Sequence, residues 1–145
     1  MKFALAATAA LTMAATPALA EDWHAFSRTP NRAYLADVDS ITSVPGGITS
    51  IRIASAPLNL PATDLSHSQE IYQFDCGAGK WRTAGAKDFA ADGSEDGDYP
   101  EENAAWEAVR PNTAPEFLKQ IVCDGARSQG TTYPSIRAFV EAGRP

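Results

Sequence analysis

The sequence predicts an α+β domain, in which an antiparallel β-sheet of about five or six strands carries C-terminal helices packed on one face. Between residues 23 and 90, several segments alternate apolar and polar side chains and are separated by turn-forming residues. A period of two is typical of half-buried strands. From residue 102 onward, apolar side chains recur at helical spacing instead. Strands first and helices last indicate an α+β arrangement.

A first hairpin is predicted after a short aromatic segment that begins at Trp23. Its arms are residues 32–40 and 48–56, and the second arm alternates isoleucine with polar or small residues. The turn between them contains Gly46 and Gly47, which can adopt positive φ without steric cost. This pattern predicts two adjacent antiparallel strands.

A second hairpin is predicted at residues 67–76 and 80–90, joined by a glycine-rich turn. In the first of these strands Tyr72, Phe74 and Cys76 share one face, because side chains two residues apart point to the same side of a strand. We expect that face to be apolar and covered.

The next stretch is acidic and then becomes helical in pattern. Residues 92–103 hold six carboxylates and no basic side chain, which predicts a solvated loop. Residues 102–109 are predicted to form a short helix that buries Trp106.

Two further helices are predicted at residues 113–123 and 133–143. The first begins with the pattern of a capping box, Thr113 at the cap and Glu116 three residues later. Gly125 and Gly143 are expected to end the two helices. The apolar stripes are Phe117, Leu118, Ile121 and Val122 in the first helix, and Ile136, Phe139 and Val140 in the second.

Residues 1–20 have the pattern of a secretory signal peptide. Lys2 gives a basic start, an apolar run follows, and small residues precede a predicted cleavage between Ala20 and Glu21. The apolar run is too short to span a hydrocarbon core of about 30 Å, so no transmembrane segment is expected. We therefore predict a periplasmic or secreted bacterial protein, whose residues 21–145 form a single domain with a short extra C-terminal helix.

The two cysteines, Cys76 and Cys123, are predicted to form a disulfide that ties the longer helix to the sheet. A metal site is disfavoured, because His24 and His67 lack ligand spacing with the cysteines. A catalytic thiolate is disfavoured in an oxidising compartment and at the C-terminal end of a helix. Export and apolar surroundings favour the disulfide.

No cofactor, metal or catalytic site is predicted. The Gly-Ala-Gly-Lys stretch at 77–80 lacks the spacing of a phosphate-binding loop. Asp92, Ser94 and Asp96 fit the first half of a calcium-binding loop, but Asn103 stands where a bidentate Glu is required. Those three residues are the weak calcium candidates that a titration would test.

Several short motifs follow one another in a characteristic order: an N-terminal Trp, "YLADVDSI", "FDCGAGKWR", "WEAVRPNT" and "QIVC". Their order resembles that of the bacterial surface-adhesin protein E family, across about Trp23–Asp124, with Gly125–Pro145 as an additional tail. The positions assigned to the family pattern are Asp39, Ile41, Asp75, Cys76, Arg82, Trp106, Val109, Pro111 and Cys123. The resemblance implies an antiparallel sheet with a C-terminal helix, and a family whose named member is a lipid-anchored adhesin that binds host extracellular proteins. A lipid anchor is attached to a cysteine directly after the cleavage site, and here Glu21 follows the predicted cleavage site instead.

The function that this resemblance implies is an exported, non-catalytic binding or adhesin-like domain of the bacterial cell envelope. Its partner would be an unknown protein or envelope component, with weak self-association left open. The alternative is a small periplasmic enzyme, hydrolase-like, that uses carboxylates of the acidic loop. A formal net charge of −6 argues against nucleic acid as a partner, because nucleic acids are bound through Lys and Arg.

Overall fold

The computed structural model of the protein describes residues 21–145, so the predicted signal peptide lies outside the described residues. Its elements are β1 (Trp23–Arg28), β2 (Arg32–Val44), β3 (Ile48–Pro57), β4 (His67–Asp75), β5 (Lys80–Phe89), β6 (Glu95–Pro100), β7 (Glu107–Ala108), α1 (Ala114–Cys123), β8 (Thr132–Tyr133) and α2 (Ile136–Glu141). The strands form one sheet in the order β6-β5-β4-β3-β2-β1-β8, and β7 pairs with β5. All pairings are antiparallel.

Within residues 21–145 the sheet has eight strands, so the prediction of five or six is wrong. Both predicted hairpins are present, as β2–β3 and β4–β5. The two helices are short, at 10 and 6 residues, so the fold is mostly β and the α+β description fits it only loosely. Within residues 21–145, no helix combines the length and apolar character that crossing a membrane requires.

β6 lies inside the acidic segment, and the loop prediction is wrong for these residues. Asp98 and Gly97 pair with Lys87 and Asp88 of β5. The ammonium group of Lys87 lies 2.7 Å from a carboxylate oxygen of Glu95 and 3.7 Å from one of Asp98. This cross-strand attraction offsets part of the repulsion among the carboxylates, which composition alone did not reveal.

Trp106 is not buried by a helix, and the helix prediction for residues 102–109 is wrong. The segment is extended, and β7 pairs with Lys80 and Trp81 of β5. The Trp106 ring lies under the guanidinium of Arg82, 4.8 Å from its centre. A cation–π contact with a neighbouring strand therefore replaces the predicted helical packing.

α1 packs on one face of the sheet, as predicted for the face that carries Tyr72 and Phe74. Leu118 and Ile121 are buried there, whereas Phe117 is 44% exposed and does not belong to the packed stripe. The apolar cluster under α1 contains Ala36, Ile51, Ile53, Phe74, Leu118 and Ile121, with Tyr72, Cys76, Trp81, Val109, Val122 and Cys123 packed against it.

The predicted capping box does not form at the start of α1. The Thr113 hydroxyl donates to the Arg110 carbonyl, and no side chain caps the first turn. Glu116 instead accepts a hydrogen bond from the backbone N–H of Asn112 at 2.6 Å. The glutamate thus reaches one residue further back than the capping box requires.

α2 packs on the opposite face, so the prediction that both helices share one face is wrong. Phe139 and Val140 of α2 belong to a cluster with Leu35, whereas the next residue, Ala36, belongs to the α1 cluster. Consecutive strand residues point to opposite faces. Both faces of the central strands are apolar, and each helix covers one of them.

The Cys76–Cys123 disulfide is present, with its two Cα atoms 5.7 Å apart. Cys76 follows β4 and Cys123 is the last residue of α1. The bond therefore ties the helix to the sheet, as predicted.

Arg144 fastens the C-terminal end to the loop between β3 and β4. Its guanidinium donates to the carbonyl oxygens of Leu60, Pro61 and Asp64 at 2.9, 3.1 and 2.5 Å, and the residue is buried. These bonds hold α2 in place over its face of the sheet.

Candidate binding face

α2 covers only part of its side of the sheet, and the remainder is solvent-accessible. Ala54 packs in the α2 cluster, and Arg52 lies two residues away on the same face. Arg52 pairs with Ile71, which pairs with Gly85. We call the uncovered part the open face; it is formed by Arg52, Gln69, Ile71, Gln73, Arg82, Gly85 and Lys87.

Two adjoining clefts indent the open face, with volumes of about 390 and 520 Å³. Both are bordered by Arg52 and Ile71. Gly85 lies in the first cleft, and a Cβ there would come within 3.3 Å of the Tyr99 carbonyl oxygen. Glycine at this position lets the backbone of β6 approach closely and permits the positive φ of 144°.

An ionic network holds Arg52, a residue that borders both clefts. A guanidinium nitrogen of Arg52 lies 2.5 Å from the fully buried carboxylate of Asp37 and 3.1 Å from that of Glu21. The other Asp37 oxygen accepts the backbone N–H of Asp22 at 3.1 Å. The Arg52 guanidinium also lies over the Trp23 ring, 5.5 Å from its centre. Two carboxylates and one aromatic ring thus fix the orientation of Arg52.

In the "YLADVDSI" segment, the acid that binds the Arg52 guanidinium is Asp37 and not Asp39. Asp39, which stands at a position of the family pattern, is exposed. Neither Asp37 nor Arg52 was singled out from the sequence. The available signal was the charge in the middle of each arm of the predicted hairpin.

One wall of the first cleft carries Lys87 with the carboxylates of Glu95 and Asp98. The hydrogen bond that Lys87 donates to the Glu95 carboxylate raises the pKa of Lys87, with a smaller contribution from Asp98. All three side chains are solvent-exposed or half-exposed, so their mutual attraction is screened. The acidic segment thus contributes Glu95 and Asp98 to ion pairs with Lys87.

His67 lies at the end of the open face beside Gln69 and stacks on Phe89, with ring centres 4.4 Å apart. Its Nδ1 lies 2.7 Å from the Leu65 carbonyl oxygen, which can only accept, so Nδ1 carries the proton. Nε2 then accepts from the Gln69 amide at 3.1 Å. Burial lowers the pKa of His67. The ring is therefore neutral at physiological pH.

The predicted calcium candidates are not assembled into a ligand set. Asp92 accepts hydrogen bonds from the backbone N–H and the hydroxyl of Ser94, which lower the pKa of Asp92, and Asp96 belongs to β6. Within residues 21–145, no group of three or more His, Cys, Asp or Glu side chains is placed to hold a metal ion.

Comparison with known proteins identifies one related family. The family model described as surface-adhesin protein E matches residues 23–124, which include β1 to β7 and α1 but not β8 or α2. Neither the curated proteins nor the solved structures contain a significant match.

Proposed function

This chain belongs to the surface-adhesin protein E family, and on that premise we propose that it is an exported, non-catalytic binding domain of the bacterial cell envelope with an adhesin-like role. The family supports a surface or exported location and a role in binding. The disulfide is compatible with export, because such bonds persist in oxidising compartments. We further propose that residues 1–20 are removed as a signal peptide and that residues 21–145 act as one domain.

The observation that carries this proposal is the exposure of Ile71. This side chain is 41% exposed at the centre of a sheet face, between two clefts, although a helix covers the same face a few residues away. An apolar side chain between two clefts of this size, surrounded by polar groups, is typical of a binding pocket. The network around Arg52 holds the cleft wall rigid, which reduces the entropy lost on binding.

The proposal is tested by capture from solubilised envelope extract with immobilised wild type and two variants. Ile71→Asp places a charge on the open face, and Phe117→Asp makes the same type of change at a similarly exposed position on α1. We expect Ile71→Asp to lose most of the captured partner and Phe117→Asp to retain it. Thermal unfolding of both variants controls for folding. Equal capture by wild type and Ile71→Asp would contradict the proposal.

A further inference from the structure

Within residues 21–145, β6 ends the sheet at the side away from β8, and β5 is the strand with which it pairs. Every residue of β6 except Gly97 is exposed. The opposite end of the sheet differs, because β8 adds only two residues there and β1 carries a bulge after Ala25. The outward backbone N–H and C=O groups of an edge strand such as β6 are a template for one more strand.

The side chains along this edge determine which strand it can accept. Glu95, Asp96 and Asp98 lie on β6, and Glu101 and Glu102 follow it. Lys87 is the base that contacts this group, and it is engaged by Glu95 and Asp98. The edge is therefore strongly negative, and a second copy of this chain would bring the same carboxylates against it. A basic segment has the complementary charge.

Tyr99 adds an aromatic surface to the same strand. Its side chain is 55% exposed. A Cβ at Gly97 would lie 2.5 Å from the Tyr99 hydroxyl oxygen and 2.7 Å from the ring, so the ring rests over the Gly97 backbone. One ring face is thus left to solvent, where the stem and cation of a lysine or arginine can pack.

We propose that the outer edge of β6 binds an extended, lysine- or arginine-rich segment of a partner protein by strand addition. Backbone hydrogen bonds to β6 hold the segment, the carboxylates select its charge, and Tyr99 contacts one of its basic side chains. Tyr99 pairs with Ala86 and so lies on the α1 side of the sheet, away from Ile71. This edge is therefore a second interaction surface, which shares Glu95 and Asp98 with the cleft wall but does not include Ile71.

The test uses a short peptide of alternating lysine and threonine, titrated into the folded protein and followed by backbone amide NMR. We expect shifts and added exchange protection at Glu95–Pro100, and loss of both near 1 M salt, where the screening length is about 3 Å. Asp96→Lys should weaken binding roughly fivefold or more, whereas Asp39→Lys, the same change at an exposed position on β2, should not.

The deciding control is the same peptide with every backbone amide N-methylated, which keeps its charge but removes the donors along both of its edges. We expect this peptide to bind much more weakly. Equal affinity for both peptides would show ion pairing without strand addition and would overturn the proposal, as would the absence of shifts in β6. Ile71→Asp should leave peptide binding unchanged. A negative result in this test can therefore be distinguished from a negative result in the test of the open face.

Discussion

Arg52 joins the centre of the sheet to the start of the described chain. It contacts the buried Asp37 carboxylate, the Glu21 carboxylate and the Trp23 ring, and it forms the border between the two clefts. Removing one member of a buried ion pair leaves an uncompensated charge, which is more costly than replacing both members with apolar residues.

We therefore expect Arg52→Met to lower the free energy of unfolding by roughly 3 kcal/mol. The double variant Arg52→Met with Asp37→Leu should recover a substantial part of that loss, because no buried charge remains. Urea unfolding of the wild type and the two variants measures both quantities. If the double variant is less stable than Arg52→Met alone, an uncompensated Asp37 charge is not what destabilises the single variant.

His67 gives the stability a pH dependence with a definite sign. Burial depresses its pKa below the ordinary value of 6.5, so the unfolded chain binds the proton first as pH falls. The stability contribution is complete above pH 6.5 and is lost as pH falls through the folded-state pKa. We expect His67→Gln to lose less unfolding free energy than the wild type between neutral and mildly acidic pH. Urea titrations at the two pH values test this, and parallel losses would contradict it.

At the scale of elements, the sequence predicts the two hairpins well and the edge of the sheet poorly. Alternation and turn glycines define β2 to β5, because these strands bury apolar side chains. β6 is exposed and buries no apolar side chains, so it carries no such pattern. It is held instead by pairing with β5 and by the contact between Lys87 and Glu95. Composition alone could not reveal that partner.

The register of the first hairpin is a second feature that the sequence does not predict. If the register of the Val44–Ile48 pair next to the turn continued unchanged, Arg52 would pair with Ser40. The strand is irregular between Asp37 and Thr42, however, and Arg52 pairs with Asp37. Ser40 instead donates its hydroxyl to the Asp37 carbonyl and accepts the Arg52 N–H. A bulge shifts every later pair, so the ionic network at the candidate site could not be derived from spacing.

The disulfide is another element-scale feature that the sequence predicts correctly, and its local effect should be largest on α1. For a sequence separation of 47 residues, loop closure stabilises the fold by about 4 kcal/mol on the entropy model. We expect the Cys76→Ala, Cys123→Ala double variant to lose a few kcal/mol and to exchange α1 amides faster. Amides of α2, on the other face of the sheet, should be accelerated less than those of α1. Hydrogen exchange measures this, and equal loosening of both helices would contradict it.

At the scale of the whole molecule, the sheet has two different faces. The α1 face is covered by the helix and tied by the disulfide. The α2 face is covered near β1 and β2 and left open over β4 and β5, where polar side chains surround Ile71. The two clefts that meet at Ile71 form a concave surface with apolar and polar lining, which supports a role in binding.

The most direct test of that role is methyl NMR of isoleucine-labelled protein in the presence of solubilised envelope extract. We expect the Ile71 methyl signals to shift or broaden, because a partner would contact them on the open face. The signals of Ile121, buried under α1 on the other face, should remain unchanged. If Ile71 stays unperturbed while other surface signals respond, the partner binds elsewhere and the open face is not the binding site.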